Sequence, residues 1–259
     1  MPEQRRFVVT CVVMILVAGT LIAQQSAPAA KSGNPGGTSS TGSSSGSNKD
    51  VTIEQLYLSQ DIELQILRSQ ASSNDRQIQM LALQSIRSMG QDGNSKNNPG
   101  VSAVLQALAT EGLQRQVREG NVVANNFPDV RREACNLLGD MGGQQAKDTL
   151  LTVLLDEKEP MVLAEAVYAL GKIGLNDNND VASHISRVLN HETAMVAPDN
   201  NLAFACMLAI EKLGAKTGGV SDPEVINALL NVASGNYIRD VRLKAIDVIY
   251  NLRKQQQKG

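Results

Sequence analysis

The chain has 259 residues and 27.7 kDa, room for one large domain or two small ones. Its apolar fraction of 42% permits a real core, but aromatics are 3% and Trp is absent, which argues against aromatic-rich sandwiches, barrels and nucleic-acid stacking platforms. With 24 Lys and Arg against 26 Asp and Glu there is no global basic field to hold DNA or RNA, three Cys make no disulfide framework, and two His limit metal and acid–base chemistry.

Residues 1–23 read as an address. Arg5 and Arg6 precede Phe7 to Ala23, an uncharged apolar run of 17 residues. A short basic stretch before such a run is the pattern of a secretory signal peptide. Two cleavage points fit: after Leu21-Ile22-Ala23, and after Ala27-Pro28-Ala29, which has the small–x–small pattern. The competing reading is an uncleaved membrane anchor, because 17 residues is the lower limit of the roughly 17–25 that span a bilayer. Cys11 lies near the start of the run, whereas a lipidation cysteine comes at its end, so it reads as one more apolar residue. Either way the rest of the chain is expected outside the cytoplasm, in the periplasm or cell envelope. Residues 24–49, QQSAPAAKSGNPGGTSSTGSSSGSNK, hold nothing whose burial would offset the cost of ordering, and read as a disordered Gly/Ser/Pro linker.

From Asp50 onward apolar residues recur at i, i+3, i+4 and i+7, the helical period. The spacing predicts first helices over 53–69, 101–119, 144–156, 181–190 and 223–233, each followed by a second helix. The second helices resemble one another. Setting Ala134 on Ala166 aligns Leu138 with Leu170, Gly139 with Gly171, Met141 with Ile173 and Gly142 with Gly174, an offset of 32 residues. A third copy places Cys206, Ile210, Leu213 and Gly214 in these columns, a fourth places Ala245, Ile249 and Leu252, and a weaker early copy places Ala82, Ile86, Met89 and Gly90. A small residue lets a neighbouring helix approach, and the residues four and seven positions on share its face. The closing Gly ends a helix at positive φ without a Cβ penalty, and Asp129 and Asp240 are placed to cap helix starts. Column spacings of 32 to 52 residues mean stacked helix pairs. Longer connections at 91–99, 120–128 and 193–201 read as insertions on a single face.

Asp-Val-Arg, then an Ala, then Leu-Gly-x-x-Gly resembles the HEAT repeat, in the short variety of phycobilisome-lyase-like proteins. The resemblance covers residues 50–259 in about five units. It implies an all-α, right-handed α-solenoid of about five helix pairs, with the second helix of each pair lining the concave side. It implies no reaction.

No catalytic pattern stands out: P-loop and GxGxxG motifs are absent, and the string GSSSG at 42–46 is part of the low-complexity linker. His184 and His191 are seven apart, with Asp180 and Glu192 near, but a metal site needs three or more converging ligands. Residues 176–180, NDNND, hint at a calcium loop yet lack its Gly at position six and Glu at position twelve, so they read as a solvated loop with a capping Asp. Cys206 falls in the small-residue column and reads as a packed core thiol, and solenoid stacking should hold it too far from Cys135 for a bridge. No catalytic, cofactor-binding or metal residue is therefore assigned, and no enzyme is expected.

A partner would meet the exposed columns of the second helices. Those columns hold both signs, with Asp140, Glu165 and Glu211 among them beside the neutral Asn251, and the expected contact residues are Arg131, Arg132, Lys172, Lys212, Arg242 and Lys244, with Lys172–Lys212 and Arg131–Arg242 as two basic columns. Arg131 and Arg242 have an alternative role, pairing with Asp residues of the adjacent unit. The expected function is an exported protein–protein interaction scaffold with protein partners and no nucleic acid, touching a membrane only through an uncleaved N-terminal segment. The alternative is a lyase-type or cofactor-handling repeat protein, which the export signal and the few aromatic residues available to grip a tetrapyrrole oppose.

Overall fold

The computed structural model describes the backbone over residues 53–91, 98–114, 116–220 and 222–256, and side chains from Ile62 onward. These all belong to one compact unit, Asp50–Gly259. The 1–23 address with Cys11 and the 24–49 linker lie outside the described residues.

Ten α-helices carry the fold among the described residues: α1 Ile53–Ala71, α2 Arg76–Gln91, α3 Pro99–Ala109, α4 Pro128–Met141, α5 Gly143–Asp156, α6 Pro160–Ile173, α7 Asp180–Thr193, α8 Asn200–Thr217, α9 Pro223–Ser234 and α10 Arg239–Gln256. The starts are written locally. Proline occupies the first turn of α3, α4, α6 and α9, where its missing N–H costs nothing. Asn98, Asp199 and Asp222 accept hydrogen bonds from the opening amides of α3, α8 and α9. Asp129 and Asp240 are not caps as expected. Their helices begin before them, at Pro128 and Arg239, so both lie in the first turn, where a carboxylate still favours the helix dipole, and Asp129 pairs with Arg76 of α2.

Odd-numbered helices pack side by side in one row and even-numbered helices in a second, and each helix also packs against its hairpin mate. The result is an all-α solenoid of five helix pairs among the described residues. The predicted columns form its seam. Ala82, Ala134, Ala166, Cys206 and Ala245 are fully buried, and so are their partners Leu138, Leu170 and Ile210 four residues on. Burying each such branched side chain contributes about 1.5–3 kcal/mol that no single hairpin could secure alone.

Two expectations change. The first helix expected over 101–119 stops at Ala109, and residues 110–127 form an insertion with a two-residue-per-strand hairpin, β1 Arg118–Glu119 against β2 Val122–Val123. Buried Asn125 organises it: its Oδ1 accepts from the Val117 amide at 2.8 Å and its Nδ2 donates to Glu111 Oε1 at 2.6 Å. Gly112 turns the chain at φ +74°, with the Asn125 carbonyl so close that a Cβ would sit 2.4 Å from it. Second, Gly142 and Gly174 do close α4 and α6, but Gly214 lies inside α8, which Gly218 closes one turn later. The 110–127 and 194–199 connections each join the two helices of a pair, at one edge of the solenoid, while the connection expected at 91–99 lies, over 92–97, outside the described residues.

Candidate interaction surface

The even helices meet through small residues. A Cβ on Gly139 would lie 2.8 Å from Ala169 Cβ, and one on Gly171 would lie 2.6 Å from Ala209 Cα. These glycines allow backbone approach rather than ending helices. Beside this dry contact, towards solvent, runs a ladder of polar links between successive even helices. Arg87 of α2 pairs with Glu133 of α4 and also donates to Asn136 Oδ1 at 3.0 Å. Asn136 in turn donates to Glu165 of α6 at 2.8 Å. Lys172 of α6 pairs back with Asp140 of α4. Lys212 of α8 lies 3.6 Å from the ring centroid of Tyr168 on α6, a cation–π contact. Glu211 of α8 accepts from Lys244 at 2.6 Å and Asn251 at 3.0 Å, both on α10.

The expected contact residues divide accordingly. Lys172, Lys212 and Lys244 do lie along the even-helix surface, and each is tied to the preceding even helix: Lys172 and Lys244 by carboxylates, Lys212 by the neutral Tyr168 ring. Arg132 is exposed, its guanidinium 4.0 Å from Met161 Sδ on α6, and Arg242 is exposed on α10. Arg131 is not on the surface. It is 1% exposed, and its Nε donates to Glu157 Oε2 at 2.6 Å, its NH2 to Glu157 Oε1 at 3.2 Å, and its NH1 to Asn126 Oδ1 at 2.9 Å and the Glu111 carbonyl at 3.2 Å. It therefore fastens the 110–127 insertion to the C-terminus of α5. The structural role is the correct one, with a Glu rather than an Asp as partner. Burial pushes the Glu157 carboxyl up, but the Arg131 hydrogen bond and the amides of Glu159 and Lys158 outweigh it and hold the group below its ordinary range. Periodicity did not single out the partner, which lies 26 residues away.

Comparison with known proteins now bears on this geometry. The family model for HEAT repeats matches residues 120–197. That segment resembles HEAT repeats. The match spans α4 to α7, and the same columns continue into α8 and α10. No curated protein matches the chain. Among solved structures, the complex of CpcE and CpcF of phycocyanin lyase from Nostoc sp. PCC7120 is similar, at 17% identity and a TM-score of 0.49, over 74% of this chain and 65% of that one. The chain thus spans less than two thirds of that neighbour's length.

The remaining polar features of the HEAT units are internal. In the 176–180 loop the buried Lys147 ammonium reaches Asp177 Oδ2 at 3.0 Å and Asp180 Oδ2 at 2.8 Å. A side-chain cation thus lies between the two carboxylates that the calcium reading would have used. Burial alone would lower the Lys147 pKa, but its hydrogen bonds to Asp180 and Asp177 raise it. Cys135 and Cys206 are unbridged and buried, and burial pushes both thiols far above their ordinary range. His184 Nδ1 lies 2.8 Å from the Asp180 carbonyl one turn back. Among the described residues no three of His, Cys, Asp and Glu are grouped to hold a metal ion, and no helix is long and apolar enough to cross a membrane.

Proposed function

We propose that the chain is an exported interaction scaffold, which presents its HEAT solenoid to protein partners in the periplasm or cell envelope and acts by binding rather than by catalysis. The observation that carries this reading is the ladder along α2, α4, α6, α8 and α10. It stiffens an extended surface by joining each unit to the next, and a rigid extended surface is what an adaptor requires. Apolar side chains stand exposed beside the ladder, with Met161 and Tyr168 on α6, Phe204 on α8 and Ile238 before α10. A patch that mixes exposed apolar anchors with fixed charges suits protein contact. A lyase-type function would require a cleft with a perturbed acid, base or nucleophile, and the two described thiols are perturbed in the unreactive direction.

Two measurements test the proposal. A reporter that is active only outside the cytoplasm, fused after Gly259, should be active, and sequencing of the mature N-terminus should find cleavage after Ala23 or Ala29. A photo-crosslinking side chain at Tyr168 should trap a protein partner. A reporter active only in the cytoplasm defeats the export half, and crosslinks confined to small molecules defeat the scaffold half.

A further inference from the structure

α10 is the last even helix among the described residues, and its outer face keeps the chemistry of an interface. With Ala134, Ala166, Cys206 and Ala245 aligned, the next position holds Cys135, Val167, Met207 and Ile246. The first three are fully buried. They share a helix face with the position four residues on, where Gly139 and Gly171 meet the following even helix and Glu211 receives Lys244 from α10. On α10 these two positions hold Ile246, 53% exposed, and Tyr250, 66% exposed. The positions that α4, α6 and α8 turn to the following even helix are therefore open and apolar on α10, and they are widened into a stripe at i, i+3 and i+7 by Leu243, whose column is solvent-facing on α4 and α8 as well, at Arg132 and Phe204.

We infer that this stripe is a docking site for an amphipathic helix of a partner protein, whose apolar residues are flanked by carboxylates. Continuity with the seam inside the solenoid supplies the first reason, since Ile246 and Tyr250 occupy positions that meet a neighbouring helix on α4, α6 and α8. The second is shape. Tyr250 stands where Gly139 and Gly171 stand, so the occupant rides on an aromatic ring and sits farther out than one HEAT unit from the next. The third is charge. The exposed charged residues of α10 are Arg239, Arg242, Arg253 and Lys254 against Asp240 and Asp247, an excess of cations. A second copy docking α10 on α10 would bring like charges together. Docking through α2, whose Ile78 and Leu81 are exposed, fares no better, because α2 carries Arg76 and Arg87 and no acidic residue. A partner that supplies carboxylates meets both the stripe and its rim.

The inference deepens the scaffold reading and rests on it for the class of partner, though not for the compartment. It is tested on the full chain with a fluorescent synthetic helical peptide carrying Leu at i, i+4 and i+7 with Glu on both flanks, and a matched peptide with Lys in place of each Glu. The Glu-flanked peptide should bind, and the Lys-flanked one should bind at least about ten-fold more weakly. Ile246→Glu should weaken the Glu-flanked peptide by roughly ten-fold or more, the loss of one central anchor. Its circular dichroism and Tm should stay unchanged, because the position is exposed. Tyr250→Ala should weaken binding in the same direction. Binding of neither peptide, equal binding of both, or indifference to Ile246→Glu overturns the inference. So does a dimer of the full chain that Ile246→Glu dissolves, which would make the stripe a self-contact. If these outcomes occur while the Tyr168 crosslinker still traps a protein, the docking inference alone fails; if it traps none, the scaffold reading fails as well.

Discussion

The seam between even helices and the insertion at residues 110–127 close their interiors in opposite ways. The seam is dry, made where Gly171 meets Ala209 and where Ala166, Cys206 and Leu170 are fully buried. The insertion has only Gly112 and Asn125 buried among its described residues, so it has almost no apolar matter to hide. It is held instead by Asn125 bonding Glu111 and Val117, and by Arg131 reaching from α4 to Glu157, Asn126 and Glu111. A repeated helix pair can rely on shape, because its neighbour is another helix with a matching face. An insertion has no such neighbour and needs directional bonds. The seam should therefore tolerate no charge, and the insertion should tolerate the loss of none.

The largest expected effect comes from forcing the chemistry of one region on the other. Ala166→Glu places an unpaired carboxylate in the seam and should cost about 4 kcal/mol or more, unfolding at least its own unit in a urea titration followed by circular dichroism. Next is the converse loss. Glu157→Ala leaves the Arg131 guanidinium buried without its counter-ion and should cost about 3–5 kcal/mol in the same titration. The pair also sets a pH dependence. Because the folded Glu157 carboxyl lies below its ordinary range, its stabilisation is present above the unfolded pKa and is lost as pH falls through the folded one. Wild-type Tm should therefore fall on acidification below about pH 4, and Glu157→Gln should show a shallower fall. A smaller effect separates steric fit from exposure within one column. Gly171→Ala drives a Cβ against the Ala209 backbone and should cost about 1–3 kcal/mol, whereas Tyr250→Ala, in the same column on α10, should stay within about 0.5 kcal/mol. The smallest belongs to the wet rim of the seam. Lys244→Ala removes a half-buried ion pair to Glu211 and should cost about 0.2–1 kcal/mol, shrinking as salt is raised.

Much of this was legible before any coordinates. The Ala134–Leu138 and Ala166–Leu170 spacing marks a buried helix face, and its recurrence marks a neighbour with the same face. Gly142 and Gly174 announce helix ends because few other residues adopt their φ of 73° and 74°. Less legible was the end of α3, since the polar residues after Leu113 still fit a helical period loosely, and the deciding contact, Gly112 against Asn125, lies across the insertion. The expected contact surface was half visible. Lys172, Lys212 and Lys244 were placed on it, but their partners Asp140, Tyr168 and Glu211 come from other units, so a basic column turned out to be a ladder of matched contacts.

Periodicity along the chain thus determined which side of each helix is hidden and that helix pairs stack in series, because a face repeated every turn is a local property of the sequence. Tertiary structure decided what each charge meets. It sent Arg131 inward to Glu157, placed Lys147 between Asp177 and Asp180, and left Ile246 and Tyr250 exposed on α10. An ion pair or an open seam depends on residues brought together from distant parts of the chain, and no local period records that distance.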